Sequence, residues 1–180
     1  MVRWFIHNLG LQAVKDDEDG ETIMEEYIEA TPPGSDGLII YPYWGACVKR
    51  PDSTGAMVGF KDYHTRAHIY RAMLEGIGYT LKEAMKVMEK KKGSHMEYLI
   101  ASGGGSQSGI ICQMMASILN RPIVRMQMHE ATGLGAAITG YVALQDYASF
   151  EDAAAAMAHV AERFEPNPED AAKYKKLYRK

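Results

Sequence analysis

Cysteine is scarce, with Cys47 and Cys112 the two in 180 residues. Two isolated thiols give neither a disulfide framework nor a tetrahedral metal site, and both read as small buried hydrophobes in a reducing compartment. Charge of one sign is also lacking: 20 Lys plus Arg stand against 23 Asp plus Glu, a net of -3. No basic stripe tracks a phosphodiester chain, which argues against a nucleic-acid partner. No run of about eighteen apolar residues occurs, and Met1 to Asn8 has neither a long apolar core nor a small-residue cleavage site. A soluble, cytoplasmic protein off the membrane is expected. What remains is 47% hydrophobic and 24% charged, the balance of one ordinary globular domain.

Hydrophobic spacing predicts a short helix over 3–13, an acidic loop at 16–20 and a second helix over 21–29 that stops before Thr31-Pro32-Pro33-Gly34. Leu38 to Tyr41 reads as a buried strand, and 42–59 as a long irregular excursion closed by a short strand near 56–60. From His64 to Lys90 the apolar residues Ile69, Met73, Ile77, Leu81, Met85 and Met88 recur every three or four positions, the mark of one long helix with a core-facing stripe. Lys90, Lys91 and Lys92 suit its negative end, and Gly93 its C-cap. Gly76 and Gly78 within it point to another backbone passing close. Strand and helix then alternate: 98–101, a glycine turn, a helix over 106–119, a strand over 123–126 and a helix opening at Gly135. This order predicts an α/β fold with neighbouring parallel strands. Two more helices are expected over 149–163 and 168–180.

The chemistry concentrates at Gly103-Gly104-Gly105. A triple glycine between an apolar strand and a helix lets the backbone approach a ligand closely, while the helix start presents unpaired N–H groups. Such a turn suits a nucleotide. It is not the dinucleotide fingerprint, since Ser108 stands where the third glycine is required, and no Gly-Lys-Ser/Thr follows as in a Walker loop. His64 and His68, four apart, have the spacing of a zinc pair but lack a third ligand at a usable offset, so a surface or capping role is expected. Met73, Met85, Met88, Met114 and Met115 fall on helix faces and are assigned to core filling.

The stretch from Gly103-Gly104-Gly105-Ser106-Gln107-Ser108 to Asn120-Arg121-Pro122-Ile123, followed by Glu130-Ala131-Thr132-Gly133-Leu134-Gly135-Ala136-Ala137, resembles the second signature of the FGGY carbohydrate kinases. Pro32 to Leu38, Tyr41-Pro42-Tyr43, His64-Thr65-Arg66-Ala67, Arg71 to Ile77 and Phe164-Glu165-Pro166-Asn167-Pro168 follow the same family in the same order, so the resemblance covers nearly the whole chain. It implies a ribonuclease H-like, actin/hexokinase-type C-terminal domain with helices layered on a mixed sheet and its first strands missing. By the same resemblance, residues 1–180 are the ATP-binding portion of a sugar or polyol kinase whose sugar-binding N-terminal domain is absent. Gly103, Gly104 and Gly105 would lie against ATP or ADP, with Ser106, Gln107 and Ser108 near ribose or adenine. Gly133 and Gly135 would serve helix packing.

Two departures matter. Trp44-Gly45-Ala46-Cys47-Val48-Lys49-Arg50-Pro51 stands where the family has Gly-Glu-Arg-x-Pro, which removes an acidic residue and bears against reading the sugar class, a pentose or pentulose by the resemblance, from this segment. The family's catalytic aspartate and phosphate-holding Gly-Thr turn precede the region that Met1 to Asn8 resembles, so no catalytic residue is assigned, and Mg²⁺ is implied for the full-length enzyme alone. The chain by itself is expected to be inactive. The alternative is a non-catalytic nucleotide-binding or scaffold module of the same fold. The isolated chain is expected either to form a homodimer that buries Trp4, Phe5 and the exposed face of the 64–90 helix or to be a marginally stable fragment.

Overall fold

The computed structural model describes residues 1–9, 20–45 and 51–179. Its elements run α1 (Val2–Leu9), α2 (Gly20–Glu29), β1 (Ile39–Tyr41), β2 (Ala56–Val58), α3 (Arg66–Lys92), β3 (Leu99–Ala101), α4 (Gly109–Leu119), β4 (Ile123–Met126), α5 (Ala131–Ala143), α6 (Phe150–Met157), β5 (Val160–Phe164) and α7 (Pro168–Leu177). The predicted acidic loop at 16–19 and Cys47 lie outside the described residues.

The strands form two sheets. β1 pairs antiparallel with β2, and a second sheet has the order β3-β4-β5. β3 and β4 are parallel, as the strand-turn-helix-strand order requires, while β5 returns antiparallel. That last strand corrects the helix expected over 149–163. The helix stops at Met157 and Val160–Phe164 is extended instead. Ser149 does cap α6, accepting from the Asp152 N–H at 3.0 Å. In β5, Phe164 is the buried residue and packs on Ile123 and Cys112, so the tertiary contact of one aromatic outweighs the helix propensity of the alanines before it.

α3 is the spine, 27 residues long, and both of its ends follow from sequence. The Thr65 N–H donates to His68 Nδ1 at 3.1 Å at its start. Gly93 closes it in the left-handed region at φ 68, with its N–H on the Glu89 carbonyl. Gly76 meets the predicted close approach, because a Cβ there would collide with the Ile40 carbonyl of β1. A Cβ on Gly78 would come within 2.8 Å of Ile118 Cδ1 of α4, so the neighbour there is a side chain and not backbone. The stripe is shorter than the period suggests. Met73 and Met85 are buried, whereas Leu81 and Met88 are each 49% exposed, because the packing partners cover mainly the first half of the helix.

One core gathers Phe5, Met24, Ile28, Leu38, Ile40, Met73, Met114 and Ile118 around α3, and a smaller one lies between α4 and the β3-β4-β5 sheet. Phe5 is fully buried against Tyr70, so the expectation that it lies in a dimer contact is wrong; Trp4, 39% exposed, meets the Trp44 ring at a tilt of 54°, with centroids 5.4 Å apart.

Through the first core runs a polar cluster. Arg71 donates from Nε to Glu75 at 3.0 Å, from Nη1 to the Ile28 and Thr31 carbonyls at 2.6 and 2.7 Å, and from Nη2 to the Tyr174 hydroxyl at 2.8 Å. Glu75 also accepts from the Gly34 N–H, the Ser35 hydroxyl and the Tyr174 hydroxyl. Burial pushes the Glu75 carboxyl above its ordinary range against these donors, and burial together with the Glu75 charge raises the Tyr174 phenol, which stays a neutral donor. Tyr174→Phe removes one acceptor for Arg71 and one donor to Glu75 with almost no change in volume. It should cost about 1–3 kcal/mol of stability, read by denaturant unfolding. A loss within a few tenths of a kcal/mol would show that the cluster does not tie α7 to α3.

Candidate functional site

The glycine turn sits where parallel β3 hands over to α4. Gly103 takes φ 82 and ψ -178, a conformation essentially reserved for glycine, and its N–H is held by the His129 carbonyl at 2.9 Å. Gly104–Ser106 form a single 3-10 turn. Ser106 is buried, and its hydroxyl folds back onto the Gly103 carbonyl at 2.7 Å. Ser108 is the N-cap of α4, its Oγ accepting from the Ile111 N–H at 3.3 Å. No described atom lies within 4 Å of a Cβ built on Gly103, Gly104 or Gly105. Gly104 and Gly105 thus have room for a Cβ within the described chain. Their backbone faces open space beside the positive end of a helix dipole.

Two supports of this turn have no sequence signal, because they come from far along the chain. Ser108 Oγ donates to Glu25 Oε1 of α2 at 2.5 Å. Arg125 of β4 donates from Nη1 to the Gln107 carbonyl at 2.9 Å, pairs through Nη2 with Glu162 of β5 at 2.5 Å, and lies over the Phe164 ring. Parallel pairing of β3 with β4 sets Arg125 opposite Ala101, two residues before the turn. The side chains of Ser106 and Ser108 are thus occupied within the protein, and Gln107, exposed, is held through its carbonyl. Of the six predicted residues the structure brings all to one turn, and it leaves the glycine backbone and the Gln107 side chain facing outward.

Other sequence candidates resolve differently. Cys112 is buried, and burial raises its thiol pKa, so it is no nucleophile. His68 joins the cap of α3 and contacts Asp36 at 3.2 Å, and among the described residues no His/Cys/Asp/Glu group can hold a metal ion. Gly133 and Gly135 of α5 do not serve helix packing as expected: nothing described lies within 4 Å of a Cβ on either, and α5 buries no residue. Among the described residues, no helix is long and apolar enough to cross a membrane.

The chain thus presents a strand-glycine turn-helix cradle on a mixed sheet beside a long helix. The chain belongs to the FGGY family of carbohydrate kinases, whose C-terminal domain matches residues 1–144. It is 35% identical over 162 residues to the xylulose kinase of Lactococcus lactis subsp. lactis (strain IL1403), covering 88% of this chain and 32% of that protein. The crystal structure of xylulose kinase from Rhodospirillum rubrum superposes with a TM-score of 0.81 at 27% identity, over 99% of this chain and 35% of that one. The glycerol kinase of Plasmodium falciparum, solved with ADP, shares the fold at a TM-score of 0.76 and 22% identity, again over 99% and 35%. The chain thus spans about a third of the length of these relatives.

Gly103→Ala forces a side chain into a backbone conformation it rarely adopts and should cost about 1–3 kcal/mol. Gly104→Ala and Gly105→Ala meet no neighbour and should leave the unfolding midpoint nearly unchanged. Equal losses at all three positions, measured by thermal unfolding, would contradict the open cradle.

Proposed function

We propose that this chain is the nucleotide-binding portion of a longer carbohydrate kinase that transfers the γ-phosphoryl group of ATP to a hydroxyl of a sugar or polyol, of pentose or pentulose class. The observation that carries this reading is the outward-facing backbone of Gly104 and Gly105 at the start of α4 in a chain of the FGGY family. A flat base or ribose can lie against a backbone with no Cβ, and Gln107 has a free amide side chain beside it. The relatives act on both xylulose and glycerol, so family membership does not select the sugar.

Phosphoryl transfer needs a base aligned with the accepting hydroxyl and cations on the phosphates. Asp36 is engaged by His68, and Asp52 and Asp62 lie in turns. Among the described residues no group of three or more His, Cys, Asp or Glu could hold a metal ion. In this reading the residues of the turn bind and orient the nucleotide, and the acid–base and sugar-binding groups belong to the rest of the enzyme. Calorimetric titration with ADP should give a dissociation constant near millimolar, roughly 4 kcal/mol of binding, because base and ribose contacts act without phosphate contacts. Gly104→Val should abolish it. The chain mixed with Mg-ATP and xylulose, ribulose, gluconate or glycerol should yield no sugar phosphate. ADP binding that survives Gly104→Val, or turnover that copurifies with the chain, would overturn the assignment.

The chain also leaves large apolar side chains uncovered. Ile100 on the edge strand β3, Leu144, Phe150 and Val160 are between 55% and 73% exposed. Alone, the chain should self-associate as a homodimer, and light scattering should show mass rising with concentration. A constant monomer mass would exclude it.

A further inference from the structure

A second concavity, remote in sequence from the glycine turn, collects cations from three helices. It lies between the C-terminal half of α3, the end of α4 and α7, with a volume of about 650 Å³. That size suits a small molecule. Lys82, Lys86, Arg121, Lys175 and Arg179 line it, with one carboxylate, Glu89. Glu89 is already taken, contacting His95 at 3.0 Å and Arg121 at 3.6 Å. The floor is apolar, made by Met85, Leu119 and Ala171, all buried, and the Tyr178 ring forms a wall. Lys86 Nζ stands 4.1 Å and Lys82 Nζ 5.5 Å from the centre of that ring, so two ammonium groups one helical turn apart point to the same wall.

Lys82 is the residue that needs explaining. It is 7% exposed, and among the described residues no carboxylate pairs with it; the charged groups that act on it, Lys86, Arg121 and Lys175, are all cationic. Its burial and these neighbours together depress its pKa. A structural role accounts for part of this: Lys82 Nζ donates to the Ile118 carbonyl in the last turn of α4, a favourable place for a cation. That contact uses one of three ammonium donors. It explains neither why Lys86 and Lys175 line the same cavity nor why the cavity lacks a free counter-charge. A buried charge is ordinarily paired or neutralised. A dianion seated among Lys82, Lys86 and Lys175 supplies what is missing, and the apolar floor receives the body that carries it.

We propose that this cavity binds a phosphomonoester, the phosphate group of a small soluble metabolite held by Lys82, Lys86 and Lys175 with its carbon skeleton against Met85, Leu119 and Tyr178. A concavity of about 650 Å³ with an apolar floor has the dimensions of a small soluble ester. The site shares no residue with the Gly103–Ser108 turn and does not depend on the nucleotide reading.

Thermal unfolding of the 180-residue chain, titrated with glycerol phosphate, inorganic phosphate or chloride at matched ionic strength, tests this. Glycerol phosphate should raise the midpoint saturably, and inorganic phosphate should do so less effectively because it has no body to fill the apolar floor. The double variant Lys86→Ala/Lys175→Ala changes exposed side chains and should fold normally while weakening the response by about tenfold or more. Lys82→Met should raise the midpoint without ligand, since it removes an uncompensated buried charge, and should abolish the response. Gly104→Val should leave the response intact. A shift no larger than that with chloride, an equal response to inorganic phosphate, a response that survives the lysine variants, or its loss in Gly104→Val would each overturn the proposal.

Discussion

The Arg71 guanidinium is the constraint on which the arrangement depends. A buried guanidinium carries donors that all require partners, and here they draw in the carbonyls that end α2, the Glu75 carboxylate one turn along α3, and the Tyr174 hydroxyl of α7. Removing the Glu75 carboxylate would leave the Arg71 charge unpaired in a low-dielectric core, at a cost of about 3–5 kcal/mol, so the members of the cluster hold one another in a fixed geometry. Glu75 extends the constraint to the turn at Gly34 and Ser35, which precedes β1. Segments separated by as many as 103 positions are thereby fixed on one face of α3.

The functional turn inherits its position from this frame. α4 rests on α3 where Gly78 admits Ile118, and on α7 through Ser117, whose hydroxyl accepts from the Asn167 N–H at 3.1 Å. With the end of α4 fixed, its start carries Ser108 to Glu25 of α2 and sets the glycine turn at the sheet edge. Arg125 braces the turn from the β4 side. A binding backbone with no side chains of its own needs this kind of rigid surround, because it has no rotamers with which to adapt.

Sequence pattern disclosed what is local. The C-terminal end of α3, the strand at 123–126 and the glycine turn each depend on residues within a few positions of one another. β5 stayed hidden because its five residues follow an alanine-rich helix and bury one side chain, so the determining contact, Phe164 on Ile123, is long-range. The exposure of Leu81 and Met88 reflects missing packing partners and not a change in period. Arg71 and Glu75 stand in the sequence as an ordinary charged pair four apart; their burial depends on α2 and α7. The cationic cavity is likewise invisible to spacing, since Lys82, Arg121 and Lys175 meet only when three helices pack.

Fold and family rest on the whole chain, but the role given to it rests on one turn. Backbone amide shifts of the chain titrated with ADP test that role most directly, because they report position as well as binding. The account predicts shifts concentrated from Gly103 to Gly109, with smaller ones at Arg125, which holds the Gln107 carbonyl. Shifts confined to another surface, the Lys82–Tyr178 cavity included, with Gly103 to Gly109 unmoved, would contradict it.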